Sequence, residues 1–148
     1  MVKLAPKGGG LTRVVFTSGG SEATETVIRL LRSYWKARGK PERTKIVSLN
    51  MGYHGTSSGA ASITGVPTFY QSVAPGLPGT FRIARPHCYR CELGKTYPDC
   101  QIACADELER LVEREGPDTV AAFFAEPVQG VGGVIVPPPE WFPRIREI

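Results

Sequence analysis

Arg13-Val14-Val15-Phe16-Thr17-Ser18-Gly19-Gly20-Ser21-Glu22-Ala23 is the stretch on which the fold turns. Four of its first five residues, Val14 to Thr17, are β-branched or aromatic, and the run lies between glycines, which predicts a short buried strand. Ser21 is a good N-cap for a helix from about Glu22 to Ala37, in which Ala23, Val27, Leu30, Leu31 and Tyr34 recur at helical spacing until Gly39 and Pro41 close it. A strand passing through a glycine-rich turn into a helix N-terminus offers unpaired amides and a positive dipole end, a ready anion site. The same pattern is also ordinary architecture, a capped helix after a strand.

Outward from this stretch, Lys45-Ile46-Val47-Ser48-Leu49 reads as a second strand. It follows one crossover helix, so the expected unit is a right-handed parallel βαβ. Residues 50 to 80 are rich in Gly, Ser, Thr and Pro and read as loop, with one short helix near Ser57 to Ser62. Residues 85 to 104 hold all four cysteines and look irregular. Asp106 is placed to cap an amphipathic helix running through Leu108, Leu111 and Val112 to Gly116. A third strand, Val120 to Ala125, leads into Glu126-Pro127-Val128-Gln129-Gly130, and Pro138 or Pro139 opens a last helix towards Ile148. The expected class is α/β, a mostly parallel sheet with flanking helices.

Composition narrows the function. The chain has 148 residues, 41% apolar and 22% charged, within the range of one globular domain. Its 17 glycines and 13 prolines gather between apolar runs, as expected of short elements joined by many loops. The net charge of +4 is dispersed, with acids interleaved as in Arg110 to Glu115, and no basic stripe with aromatics argues for nucleic acid. No segment approaches the roughly 20 apolar residues of a membrane span, and the N-terminus lacks a signal-peptide core. The expected compartment is the cytoplasm, where the four cysteines would be thiols or metal ligands rather than disulfides.

Three groups of residues are candidates for chemistry. Gly19, Gly20 and Ser21 can receive an anion, since glycine lets the backbone approach closely and Ser21 offers an amide and a hydroxyl. Tyr53-His54-Gly55 lies just beyond the second strand, at the sheet edge where open parallel sheets bind ligands. His54 could serve as a base, though a hydrogen-bonded loop histidine is the simpler expectation. Glu126 leaves a buried strand, where a carboxylate needs a partner, so it reads as a site residue or as a satisfied strand-end acid.

The cysteines form a fourth pattern, Cys88-x2-Cys91-x8-Cys100-x3-Cys104. Two close pairs can converge on a tetrahedral zinc, but the gap of eight is shorter than in typical zinc ribbons. The expectation is an insertion of unmetallated thiols, with zinc as the alternative.

These motifs resemble those of the class III pyridoxal-phosphate-dependent aminotransferases. Phe16-Thr17-Ser18-Gly19-Gly20-Ser21-Glu22-Ala23 is similar to that family's Phe-Thr-Asn-Ser-Gly-Ser-Glu-Ala, with Ser18 and Gly19 in place of Asn and Ser. The resemblance implies that Gly20 and Ser21, with the backbone of Gly19, hold the phosphate of pyridoxal 5'-phosphate. It implies that Tyr53 stacks on the pyridine ring beside His54, and that Glu126 supports the cofactor-binding acid. Val131 stands where relatives acting on glutamate-like or ornithine-like substrates often carry a glutamate, which leans towards the amine-pyruvate or taurine-pyruvate branch. The implied reaction moves an amino group from an amine or amino acid to a keto acid, in a homodimer.

The resemblance runs from about residue 4 to 148 and is expected to cover about a third of a family member. The chain is therefore expected to be part of the large domain, truncated at both ends, with 85 to 104 inserted. None of the six lysines, Lys3, Lys7, Lys36, Lys40, Lys45 and Lys95, has the sequence context of the family's Schiff-base lysine, and the pyridinium-binding aspartate is not identifiable. An inactive fragment with exposed sheet edges is the expectation. The alternative is a noncatalytic zinc-binding or phosphate-binding module.

Overall fold

The computed structural model describes residues 1 to 5 and 10 to 148. Three strands, β1 (Lys45–Leu49), β2 (Thr80–Ile83) and β3 (Val120–Phe123), form a parallel sheet in the order β2-β1-β3. Helices α1 (Gly20–Ala37), α2 (Ser58–Ile63) and α3 (Pro67–Gln71) occupy the connections before β2, while α4 (Ala103–Glu115) and α5 (Trp141–Glu147) come later.

Strand β1 is central, and four of its five residues are fully buried because both faces are covered. That explains its mostly apolar reading, interrupted only by the buried Ser48, in contrast to the alternation of a half-exposed strand. Val47 and Leu49 pack with Ile83, Ala105, Leu108, Leu111 and Trp141 on the α4–α5 side. Ile46 points the other way, to Ile28 of α1 and Ile63 of α2. The result is a three-layer α/β/α arrangement, as the sequence predicts.

The first predicted strand does not form. Residues 11 to 17 have no regular structure, and Val14, Val15 and Phe16 are 43%, 68% and 79% exposed. A strand needs a neighbour for its backbone groups, and among the described residues none pairs with this segment. The βαβ unit predicted from it is therefore replaced by β1-β2 and β1-β3 pairing.

Helix α1 is present, but the apolar stripe facing the sheet is not the one read from spacing. Ile28 is its buried residue, and Trp35 Nε1 donates to the Ala121 carbonyl of β3 at 3.0 Å. Val27, Leu30 and Tyr34, placed in the core by periodicity, are 41%, 54% and 52% exposed. Helical spacing shows that a stripe exists but cannot choose between two neighbouring stripes.

Strand β2 escapes the sequence reading because Arg82 interrupts it. That guanidinium serves α2: Nε donates to Thr64 O at 2.9 Å and Nη2 to Ser62 O at 2.6 Å, over the Tyr70 ring at 4.2 Å. It thereby satisfies carbonyls left open at the helix C-terminus. Helix α4 starts at Ala103, ahead of Asp106, so that Asp106 lies in the first turn and Cys104 is helical rather than part of the irregular segment. Asp106 instead receives Nε of Arg144 at 3.1 Å, tying α4 to α5. Neither Pro138 nor Pro139 opens α5, which begins after Glu140.

Candidate active site

The C-terminal ends of β1 and β3 and the N-terminus of α1 meet at one edge of the sheet, and every candidate residue of the three loop motifs belongs to this cluster. At α1, Gly19 stands at the N-cap without a side-chain cap, and the first backbone amide to bond inside the helix is that of Ala23, to Gly19 O at 3.0 Å. The amides before it face outward, as helix geometry requires. A Cβ on Gly20 would meet no heavy atom within 4 Å, so the chain leaves room beside this first turn, while the Glu22 carboxylate lies close to Gly19. Ser21 Oγ accepts from the Thr56 amide at 3.1 Å and keeps its own proton for another acceptor. Open space, free amides and a hydroxyl donor are the set that suits a phosphate.

The loop after β1 is pressed against this helix end. Gly55, at φ +128, lies so close to α1 that an added Cβ would sit 2.6 Å from Ser21 Oγ, 3.0 Å from Ser21 Cα and 2.9 Å from the Ala60 Cβ. Thr24 Oγ1 donates to His54 O at 2.8 Å. Farther along α1, Glu25 Oε1 accepts from Ser57 Oγ at 2.7 Å and from the amides of Gly59 and Ala60 at 2.8 and 3.3 Å. The Ser57 hydroxyl, then these amides, hold the Glu25 carboxyl below its ordinary range. One helix thus presents a free N-terminus and, from its side, caps the helix that follows the Tyr53 loop.

Thr64 and Gly65 close the loop from below. The fully buried Thr64 hydroxyl accepts from the His54 amide at 3.0 Å and shares its proton between the carbonyls of Gly55 and Ala60, both at 3.1 Å. Gly65 N–H donates to Gly52 O at 2.7 Å, and a Cβ there would overlap backbone atoms of Leu49, Asn50 and Met51.

Glu126 joins the second loop to the first. Its Oε1 accepts from the Tyr53 amide at 2.7 Å, and its Oε2 from the Gly130 amide at 3.1 Å. Tyr53 is held at its backbone by this carboxylate and at its ring by Phe69, 5.1 Å between centroids. His54 packs edge-on against Phe124, and burial lowers its pKa despite the nearby Glu126 carboxylate. Burial thus favours the neutral imidazole, and its Nε2 is buried and unpartnered. Gln129, 2% exposed, donates from Nε2 to Asn50 O at 3.0 Å, pinning the Glu126 loop to the end of β1.

Thr24, Glu25, Gly55, Thr64, Gly65 and Gln129 therefore build the site alongside the residues the motifs single out. Gly55 and Gln129 stand inside the quoted motifs. The other four carry no local signal, because their contacts join segments up to 35 residues apart in the chain.

All four cysteines are free and line a separate small cavity of about 20 Å³. Among the described residues, no three histidine, cysteine or acidic side chains stand close enough together to hold a metal ion as placed. No described helix is long and apolar enough to cross a membrane.

The family model described as aminotransferase class-III matches residues 1 to 148. A probable aminotransferase of Mycobacterium tuberculosis, Rv3329, is 45% identical over 148 residues, which is all of this chain and 31% of that protein. The putrescine–pyruvate aminotransferase of Pseudomonas aeruginosa is 41% identical over 94% of this chain and 30% of its own length. Among solved structures, a PLP-bound amine transaminase from an uncultivated Pseudomonas species superposes with a TM-score of 0.87 at 42% identity, covering 92% of this chain and 31% of the other. The chain spans about a third of the length of the curated relatives it matches.

Proposed function

This chain belongs to the class III aminotransferase family, and we propose that its part in such an enzyme is to hold the phosphate and one face of pyridoxal 5'-phosphate. The observation that carries this reading is the contact between the α1 N-terminus and the loop after β1. Ser21 Oγ meets the Thr56 amide at 3.1 Å, and Gly55 allows the close approach. The amides of Gly20 and Ser21 and the Ser21 hydroxyl would hold the phosphate, with Gly19 contributing backbone alone. Tyr53 would lie on the ring, its position set by Glu126 and Phe69. Glu126 acts by bonding two backbone amides, which keeps the Tyr53 loop and the Gly130 loop together. His54, half-buried behind the loop, supports it through its backbone bonds to Thr24 and Thr64.

Bound there, the cofactor supplies the electron sink of amino-group transfer. The whole reaction we propose takes an amine or amino acid as donor and a keto acid as acceptor. Val131 after Gln-Gly, and the likeness to the putrescine–pyruvate enzyme, support the amine–pyruvate branch. Residues 1 to 148 would form part of the large domain of a cytoplasmic homodimer, with 85 to 104 as an insertion.

We propose further that this segment alone does not turn over substrate. Of its described lysines, Lys45 sits at the opposite end of β1 and donates to Glu115, and Lys40 pairs with Asp118.

The test uses the full-length protein containing this segment. Alanine formation from pyruvate and a primary amine should depend on added pyridoxal phosphate. Ser21→Ala should weaken cofactor affinity about tenfold, the loss of one hydrogen bond to a charged group. Unchanged affinity in that variant would place the phosphate elsewhere.

A further inference from the structure

We propose that Glu92 and Arg85 are positioning residues of the cofactor site, joining Asn50 and Gln129 in a polar ring that holds the turn leading to Tyr53. The inference rests on the reading of this sheet edge as the pyridoxal phosphate site, and it brings the segment between β2 and α4 into that site's support. Glu92 Oε2 accepts from Asn50 Nδ2 at 2.8 Å, just past the end of β1. Its Oε1 lies 3.0 Å from Arg85 Nε, an ion pair without hydrogen-bond alignment. Arg85 Nη1 donates to Gly132 O at 3.2 Å, in the loop that Glu126 opens. Gln129 Nε2, from the same loop, donates to Asn50 O at 3.0 Å and closes the ring.

Each strand supplies one segment of the ring: Asn50 follows β1, Arg85 follows β2, and Gln129 follows β3. A parallel sheet puts all three strand ends on one edge, the edge that carries Tyr53 and Glu126. The Glu92 and Arg85 side chains are 25% and 17% exposed, so water screens this pair less than it screens a surface pair.

The ring encloses a strained turn. Gly52 N–H donates to Leu49 O at 3.0 Å, and Met51, the third residue of that turn, has φ +59. Glycine or asparagine usually supplies this conformation. Gly132 packs against the turn so closely that an added Cβ would stand 2.6 Å from Met51 O. A larger residue in the left-handed region costs free energy and persists only when its surroundings fix it. The ring fixes Asn50 on one side of Met51, and Glu126 fixes the Tyr53 amide on the other. Tyr53 therefore keeps its place through two separate ties.

The test uses the full-length protein carrying Glu92→Ala, Arg85→Met or both. Each single variant should weaken pyridoxal phosphate affinity, read by absorbance titration, about tenfold, and should alter the visible circular dichroism of the bound cofactor. The double variant should bind no more weakly than the worse single one, because the ring opens only once. In cofactor-free protein, Glu92→Ala should speed amide exchange at Met51 to Tyr53 and leave the middle of α1 unchanged. Met51→Gly, which lets the turn form without strain, should restore most of the affinity lost in Glu92→Ala, a rescue that general unfolding does not show. Glu92→Gln, which keeps an acceptor for Asn50, should lose less, about threefold, and carries the same comparisons if Glu92→Ala does not fold. Unaltered affinity and dichroism in the Glu92 variants, additive losses in the double variant, or no rescue by Met51→Gly would each overturn the proposal. If Ser21→Ala weakens binding while the Glu92 variants do not, the ring is overturned and the cofactor reading stands.

Discussion

The strand-end site and the cysteine segment are both loops, yet they are held in opposite ways. At the strand ends, three loops and a helix N-terminus bond to one another directly: Glu126 to Tyr53 and Gly130, Thr64 to His54 and Gly55, Glu25 to Gly59, and Ser21 to Thr56. Most of these bonds join distant parts of the chain, though His54 Nε2 and Gln129 Oε1 are buried without a partner. Between β2 and α4, by contrast, the main long-range polar ties are Asn50 to Glu92, Arg85 to the Gly132 carbonyl and Tyr97 to Glu140. The first region is preorganised by the chain itself, as a binding site must be for its geometry to survive without ligand. The second has a small cavity lined by four free thiols where the first has hydrogen bonds.

The sharpest way to break this contrast is to insert one methyl group in each region. Gly65→Ala places a Cβ among backbone atoms of Leu49, Asn50 and Met51, which cannot move without disrupting β1. A loss of about 3 kcal/mol or more is expected in chemical denaturation, and cofactor affinity should fall with it. Glu126→Ala comes next, since it leaves two backbone amides without their acceptor. A cost of about 1–3 kcal/mol is expected, together with weaker pyridoxal phosphate binding measured by absorbance titration.

Gly94→Ala in the cysteine segment meets nothing within 4 Å, and only its φ of +64 opposes the change. About 1 kcal/mol or less is expected, from backbone conformation alone. A loss as large as that of Gly65→Ala would show that the segment is as tightly packed as the strand-end site.

Acid offers a gentler probe. The Glu25 carboxyl has a pKa lowered in the folded protein by Ser57 and the α2 amides. Its stabilisation is therefore present above the ordinary value of 4.5 and is lost as pH falls through the lower folded value. Melting temperatures measured from neutral pH to below 4.5 should drop more steeply in the wild type than in Glu25→Gln. Parallel curves would remove Glu25 as the cap of α2.

The smallest expected change in stability is that of Gly20→Ala, where a methyl group meets open space. Denaturation should be unaffected, while phosphate-dependent cofactor binding weakens because the methyl enters the space over the α1 amides. Equal binding of pyridoxal phosphate by both proteins would show that the anion does not lie there.

Much of this was legible in the residues. Strand β1 was readable because a strand buried on both faces is mostly apolar, as Ile46, Val47 and Leu49 are, and helix α1 because its start and stop residues are strong. The segment at 11 to 17 misled for a physical reason: an apolar β-branched run states a preference for pairing but cannot supply the partner. Strand β2 was hidden because Arg82 lies in it, and only the α2 carbonyls explain a guanidinium there.

By itself the sequence determined the α/β class, the family, and the three motifs around Ser21, Tyr53 and Glu126, since each depends on local residue chemistry at fixed spacing. Only the tertiary structure decided how these motifs form one site, because the contacts that join them lie between segments remote in sequence. Glu126 is shown to bond the Tyr53 amide, and Gly55 to need its missing side chain against Ser21. The cysteines depend on tertiary structure in the same way. Their spacing left unmetallated thiols as the expectation with zinc as the alternative, and the structure places all four, free, around one small cavity without the geometry to hold a metal ion.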